Sequence, residues 1–293
     1  MKNNNLSMLL KLITSLCILG YLLSILDWSI LATLEVRIIP FFFFGILFLL
    51  IAIFCMTLRW KVIIQHELEV KVSAAVLYRF YLIGSFFNSF LPSSIGGDIV
   101  RVRSSSQTFS LPIKRATAIV VSERLFGLAA LSFLFSIGFL IDQTLLMKLG
   151  FKPYLSFIGL ILACIIFFIA KYLAEKKIRI SFSFALLLLF LSACGQFADI
   201  LIVFIFASYF EQSITLSSLM IVMPLVYIAT IAPISLGGLG VREGAMVALL
   251  AFISVDTSIA IILAFVLYIS KLLVGLIGGV LYNKAHNSLK IKG

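Results

Sequence analysis

The chain has 293 residues, 62% of them hydrophobic and only 12% charged, and its mean hydropathy of +1.21 lies far from that of a soluble domain. The net charge of +11 would suit nucleic acid, but the basic residues sit between apolar runs, which excludes that partner and favours anionic lipid headgroups. Four cysteines lie inside apolar runs and two histidines are 220 residues apart, so no disulfide framework, metal spacing or cofactor motif is visible.

In chain order, Lys2 and Lys11 accompany an apolar run that ends near Leu26. No small-residue cleavage site precedes Asp27, so the run reads as an uncleaved first span. A second span covers Ile38 to Leu58, with Arg59, Lys61 and Lys71 read as the charges that follow it. Residues 74–91 are apolar but carry Arg79 and Asn88, and they lead into a Pro/Gly break. Further spans are predicted over 117–140, 155–173 and 181–207. The first of these holds Glu123 and Arg124 near its start, where both read equally well as interfacial residues. The last holds Ser192, Gln196 and Asp199, spaced four and three apart and therefore on one helix face. Residues 214–232 lead into a second break, and 258–281 form the last span with Lys271 inside it. A charge there is expensive without a partner, so Lys271 is expected to pair with Asp199 or with Glu123.

The two breaks share one pattern. Residues 92–101 read PSSIGGDIVR and residues 233–242 read PISLGGLGVR, 141 positions apart. Pro92, Ser94, Gly96, Gly97 and Arg101 match Pro233, Ser235, Gly237, Gly238 and Arg242. A weaker echo aligns Ser122-Glu123 with Ser270-Lys271. Two related halves follow, at about 38–140 and 181–281, within one transmembrane domain covering residues 1–293.

Charge decides how the eight apolar segments cross. If all eight cross, Lys and Arg divide almost evenly between the two sides. If the two segments feeding the motifs dip in and return, 18 of the 23 fall inside, four outside, and Lys271 stays within a span. The second arrangement obeys the positive-inside rule. It predicts an all-α integral membrane protein with six full crossings and two re-entrant broken helices in an inverted repeat, both termini cytoplasmic. Eight full crossings is the alternative.

Proline stops the helical ladder and paired glycines permit backbone angles closed to other residues. A helix restarting after them offers free N–H groups and a partial positive charge, which suit a phosphate. Arg101 and Arg242 lie about one turn further on and could each fork onto the same anion. A tight turn with snorkelling arginines is the simpler reading, but a turn alone does not require arginine at the same offset twice. Asp98 and Glu243 do not align, so each half is expected to form its own ion pair, or one acid to act as a gate.

These residues resemble the lysylphosphatidylglycerol synthase transmembrane-domain family, which includes the flippase part of the multiple peptide resistance factor. The similarity rests on P-x-x-x-G-G-D-x-x-R and P-x-S-x-G-G-x-G-x-R-E-G and covers essentially the whole chain. It implies a lipid translocator in a bacterial inner (plasma) membrane, acting on an anionic phospholipid or a polyprenyl-phosphate-linked lipid. Nothing like the aminoacyl-transferase domain of fused members follows residue 281, so lysyl transfer is not expected, and no nucleotide-binding loop offers ATP as an energy source. An intramembrane transferase would need paired acids beside the phosphate, which the spacing of the acids does not provide. A non-catalytic partner of a lipid- or glycan-modifying enzyme remains the other alternative.

Overall fold

The apolar runs fold as helices, and no strand occurs among the described residues. The computed structural model describes residues 2–32, 35–90, 96–142, 147, 150, 152, 155–174, 181–230, 235 and 238–290. The helices are α1 (Lys2–Ser24), α2 (Ser29–Ala32), α3 (Ile38–Leu68), α4 (Ala74–Phe90), α5 (Gly96–Phe109), α6 (Ile113–Ile141), α7 (Leu155–Ala174), α8 (Phe182–Tyr209), α9 (Leu216–Ala229), α10 (Val241–Ala251) and α11 (Thr257–Lys290). Among the described residues, α3, α6, α7, α8 and α11 are long and apolar enough to cross a bilayer, and α1 carries a shorter apolar stretch, Leu9–Ser24. Polarity is arranged for a lipid solvent. Phe157, Ile161, Ile165 and Phe168 of α7 point outward, whereas Arg59, Arg101, Glu123 and Glu243 are buried. The protein is an all-α, multi-pass membrane protein.

Local chemistry sets several boundaries. Pro40 sits in the first turn of α3, where a missing N–H costs nothing. The helix ends at Glu69, whose left-handed backbone (φ 57°) lets its N–H reach Gln65 O at 2.9 Å. Helices α8 and α9 start on Ser181 and Thr215, whose hydroxyls accept the N–H groups of Phe184 and Ser218. The predicted end of the second span at Leu58 is corrected here: α3 runs ten residues further, to Leu68. Arg59 does not stop it because Ala52, Arg59, Ile63 and Glu67 continue one buried stripe, and a carboxylate neutralises the arginine.

Both Pro/Gly motifs lie between short helices. Helices α5 and α9 have 14 residues and α10 has 11. At about 1.5 Å per residue these reach roughly 16–21 Å, short of a hydrocarbon core of about 30 Å. After the first break α5 returns antiparallel along α4: Gly97 N–H donates to Asn88 Oδ1 at 2.8 Å, and Gly84 faces the Arg101 side chain. A Cβ on Gly97 would lie 2.1 Å from Gly84 O, so only glycine allows this approach. After the second break α10 packs back on α9, with Gly238 (φ +83°) against Thr230. Elements that enter and turn back fit these lengths.

Packing among α3–α6 and α8–α11 has an internal regularity. Exchanging α3 with α8, α4 with α9, α5 with α10 and α6 with α11 leaves the set of packed helix pairs unchanged. The α3–α8 contact maps onto itself, α4–α11 onto α6–α9, and α6–α8 onto α3–α11. Helix α7 packs on α6 and α1 on α10, outside the scheme. Because lipid tails are as apolar as leucine, tight helix contacts depend on small residues. Gly278 of α11 is one such residue: a Cβ there would be 1.9 Å from Leu82 O of α4.

Candidate functional site

A cavity of about 460 Å³ opens between these two groups of helices. From the first group, Met56 of α3, Tyr81 and Asn88 of α4, Arg101 of α5 and Arg124 of α6 line it. From the second come Asp199 of α8, Tyr227 of α9, Arg242 of α10, and Tyr268 and Lys271 of α11. Residues more than 140 positions apart thus bring charged side chains into one cavity inside an apolar molecule.

On one wall, Glu123 is the hub. Its carboxylate is 1% exposed and accepts hydrogen bonds from Arg59 Nη2 at 2.9 Å, Tyr81 Oη at 2.7 Å and Arg101 Nη2. Arg59 also donates to Ser192 Oγ at 2.6 Å. Arg101 is 2% exposed, with its guanidinium 4.3 Å from the Trp60 ring centre and 3.9 Å from that of Tyr81. Its Nε has no hydrogen-bond partner among the described residues. Glu123 is therefore a buried network residue. Arg124 is half exposed and forks onto Asp98, both contacts at 2.8 Å.

The opposite wall carries a second carboxylate–cation–tyrosine set. Lys271 Nζ donates to Asp199 Oδ2 at 2.8 Å and to Tyr227 Oη at 3.0 Å, and Tyr227 donates to the same carboxylate oxygen. Of the two partners expected for Lys271, Asp199 is the one it meets. Both arginine-bearing helices start with their own N–H groups partly used. Gly97 N–H is taken by Asn88, and Gly240 N–H donates to Glu243 Oε2 at 2.7 Å. The other Glu243 oxygen accepts from Arg242 Nη2 at 2.6 Å and Nε at 3.0 Å, while the Arg242 guanidinium lies 5.1 Å from the Tyr268 ring centre.

Of the residues singled out from the sequence, Arg101, Arg124, Asp199, Arg242 and Lys271 face the cavity, and Asp98, Glu123 and Glu243 stand behind them as ion-pair partners. Gln196 lies against Gly127 of α6, between the two networks. Gly96 and Gly97 are buried at the start of α5, Gly238 packs on Thr230, and Ser235 is buried. Pro92, Ser94, Pro233 and Gly237 lie outside the described residues. Sequence reasoning missed Arg59, Trp60, Tyr81 and Tyr227. The signal for Arg59 was present, since 52, 56, 59 and 63 keep one helical face past Leu58. The tyrosines were hidden because Tyr81 lies 11 residues before Pro92 but Tyr227 only six before Pro233, so a repeat alignment does not pair them.

None of the curated proteins compared with the chain matches it. The family described as "Lysylphosphatidylglycerol synthase TM region" matches residues 8–279. That family is the membrane part of the synthase rather than its transferase domain, which gives the protein a lipid-related function in a membrane. The match runs from α1 into α11 and takes in both motifs, the cavity and both networks, so the chain belongs to the lysylphosphatidylglycerol synthase transmembrane-region family.

Proposed function

We propose that the protein is a lipid translocator, and that the cavity between its two helix groups holds the phosphate of an anionic phospholipid or of a lipid-linked phosphate. The carrying observation is a charge imbalance. Among the described residues, the ion-pair networks that reach the cavity comprise Arg59, Arg101, Arg124, Arg242 and Lys271 against Asp98, Glu123, Asp199 and Glu243, Arg59 standing behind the cavity wall as the second partner of Glu123. Five cations against four carboxylates leave one positive charge in excess. A buried excess charge is costly, and an anion entering the cavity relieves it.

Glu123 is shared by Arg59 and Arg101, and Asp98 by Arg101 and Arg124, so the surplus belongs to this network, which reaches the cavity through Arg101 and Arg124. Arg242 and Lys271 reach the cavity from the other side. In this reading the two helix groups are inverted repeats in a bacterial plasma membrane with both termini cytoplasmic. Rocking about the self-paired α3–α8 contact would expose the site to each face in turn, while the lipid tails stay in the bilayer. The test is reconstitution of the purified chain, without any enzyme partner, into vesicles carrying fluorescent phosphatidylglycerol. Accelerated exchange between leaflets is expected; exchange no faster than in empty vesicles rejects the proposal.

A further inference from the structure

A second cavity, of about 400 Å³, lies between α5 and α6. Ile99, Val102, Val120, Val121 and Leu125 make its walls, and its charged lining residues are Asp98 and Arg124. Arg124 lines the central cavity as well, so the two spaces meet at this side chain. Ile99 is 63% and Val121 43% exposed, so the groove opens on the outer surface of the helix bundle.

A charged chamber joined through one arginine to an apolar groove that opens on the bundle surface has the outline of an amphiphile. Resting on the lipid-phosphate reading above, we infer that this groove seats one acyl chain of the lipid whose phosphate occupies the central cavity, and that the Asp98–Arg124 pair is the gate between them. An acyl chain is the occupant that fits both ends. A phosphate drawn into the cavity brings its chains along, and without an apolar path they would lie against Arg101, Arg242 and Lys271.

The ion pair has the chemistry of a gate. Arg124 forks onto both oxygens of Asp98 at 2.8 Å, and a phosphate offers the same fork two oxygens in similar geometry. Arg124 is half exposed, so it can change partner without crossing a packed core. Asp98 is not orphaned by the exchange, because Arg101 Nη1 already lies 3.5 Å from its Oδ1. The swap moves one cation to the incoming anion and keeps each carboxylate beside a guanidinium.

The test fills the groove while sparing the chamber. Ile99→Trp with Val121→Trp places two large rings at exposed positions in the full-length protein. Transport of fluorescent diacyl phosphatidylglycerol in vesicles should fall at least tenfold, while sn-glycerol 3-phosphate, which has a phosphate but no chain, should still raise the melting temperature as in the parent. If the tryptophan protein does not accumulate, Ile99→Ser with Val121→Ser makes the groove polar, and the same split between transport and glycerol phosphate binding is expected. Unchanged transport in a folded variant, or equal loss of transport and glycerol phosphate binding, overturns the acyl-chain assignment and leaves the central site standing. Failure of the unmodified protein to move lipid or bind glycerol phosphate brings down the lipid-phosphate reading, and this inference with it.

Discussion

Glu123 and Lys271 take matching places and carry opposite charge. Each follows the serine of the short echo, each lies in the last helix of its group, and each pairs with a residue of the first helix. Glu123 of α6 meets Arg59 of α3, and Lys271 of α11 meets Asp199 of α8. A tyrosine from the helix that precedes each break, Tyr81 of α4 or Tyr227 of α9, completes each set. The signs are reversed, so each of these two pairs is neutral whichever end carries the acid, and Arg101 adds a second cation to the Glu123 set alone. Burial differs: Glu123 and Arg59 are sealed at 1% and 4%, whereas the Lys271 side chain is 25% exposed. The two sets should therefore respond differently to mutation.

Glu123→Gln leaves Arg59 and Arg101 facing each other in a dry site. Removing one partner of a buried pair costs about 3–5 kcal/mol. The protein should lose abundance in the membrane and melt well below the parent in detergent. Normal abundance and an unchanged melting temperature would show that the network does not support the fold.

Asp199→Asn should be milder for folding, because Lys271 reaches the cavity and can be solvated there. Abundance near normal with translocation reduced about tenfold or more is expected, measured as leaflet exchange in reconstituted vesicles. Tyr227→Phe removes only hydroxyl bonds, worth about 1 kcal/mol in total stability, and should reduce exchange by a smaller factor. Disappearance of the Asp199→Asn protein from the membrane would mark the pair as structural.

Arg101→Lys and Arg242→Lys both keep a charge but lose the planar fork. Arg101 also loses its position between Trp60 and Tyr81, a cation–π contribution of about 2 kcal/mol in a desolvated site. Arg101→Lys should lower both stability and lipid affinity, and Arg242→Lys chiefly affinity, by roughly ten- to hundredfold. If both arginines hold one phosphate, the double variant should bind little worse than the poorer single one. Additive small losses would point to two independent anchors.

Gly278→Ala tests the fold directly. Its Cβ would fall 1.9 Å from Leu82 O, a backbone atom with no room to yield, so α4 and α11 must separate. Overpacking costs typically about 1–3 kcal/mol, and contact with backbone should place this case at the upper end or beyond. Gly20→Ala, with nothing within 4 Å of the new carbon, should melt as the parent does.

Topology is open to labelling. Gln107 and Glu211 are both exposed, at the ends of α5 and α8. In a background with the native cysteines replaced, a cysteine at Glu211 should react with an impermeant thiol reagent from outside, and one at Gln107 only after the membrane is opened. Reaction at Gln107 in intact cells would exclude the re-entrant arrangement with cytoplasmic termini.

Hydropathy and the duplicated Pro/Gly motif were enough to establish an all-α membrane bundle with a break before each of the short helices that carry Arg101 and Arg242. They work because lipid imposes its rules locally: a span needs a minimum apolar length, and a proline with paired glycines breaks a helix wherever it occurs. The face shared by Ser192, Gln196 and Asp199 was legible for the same reason, since helical spacing is a local property. Pairing was not. Whether Lys271 meets Asp199 or Glu123, why Arg59 is buried beyond the apparent end of its span, and how Tyr81 and Tyr227 come to serve similar networks all depend on contacts between helices far apart in sequence. Only packing decides such contacts, because a buried charge takes its partner from whichever helix the fold brings within about 3 Å, and a side chain's number in the chain carries no record of that neighbour.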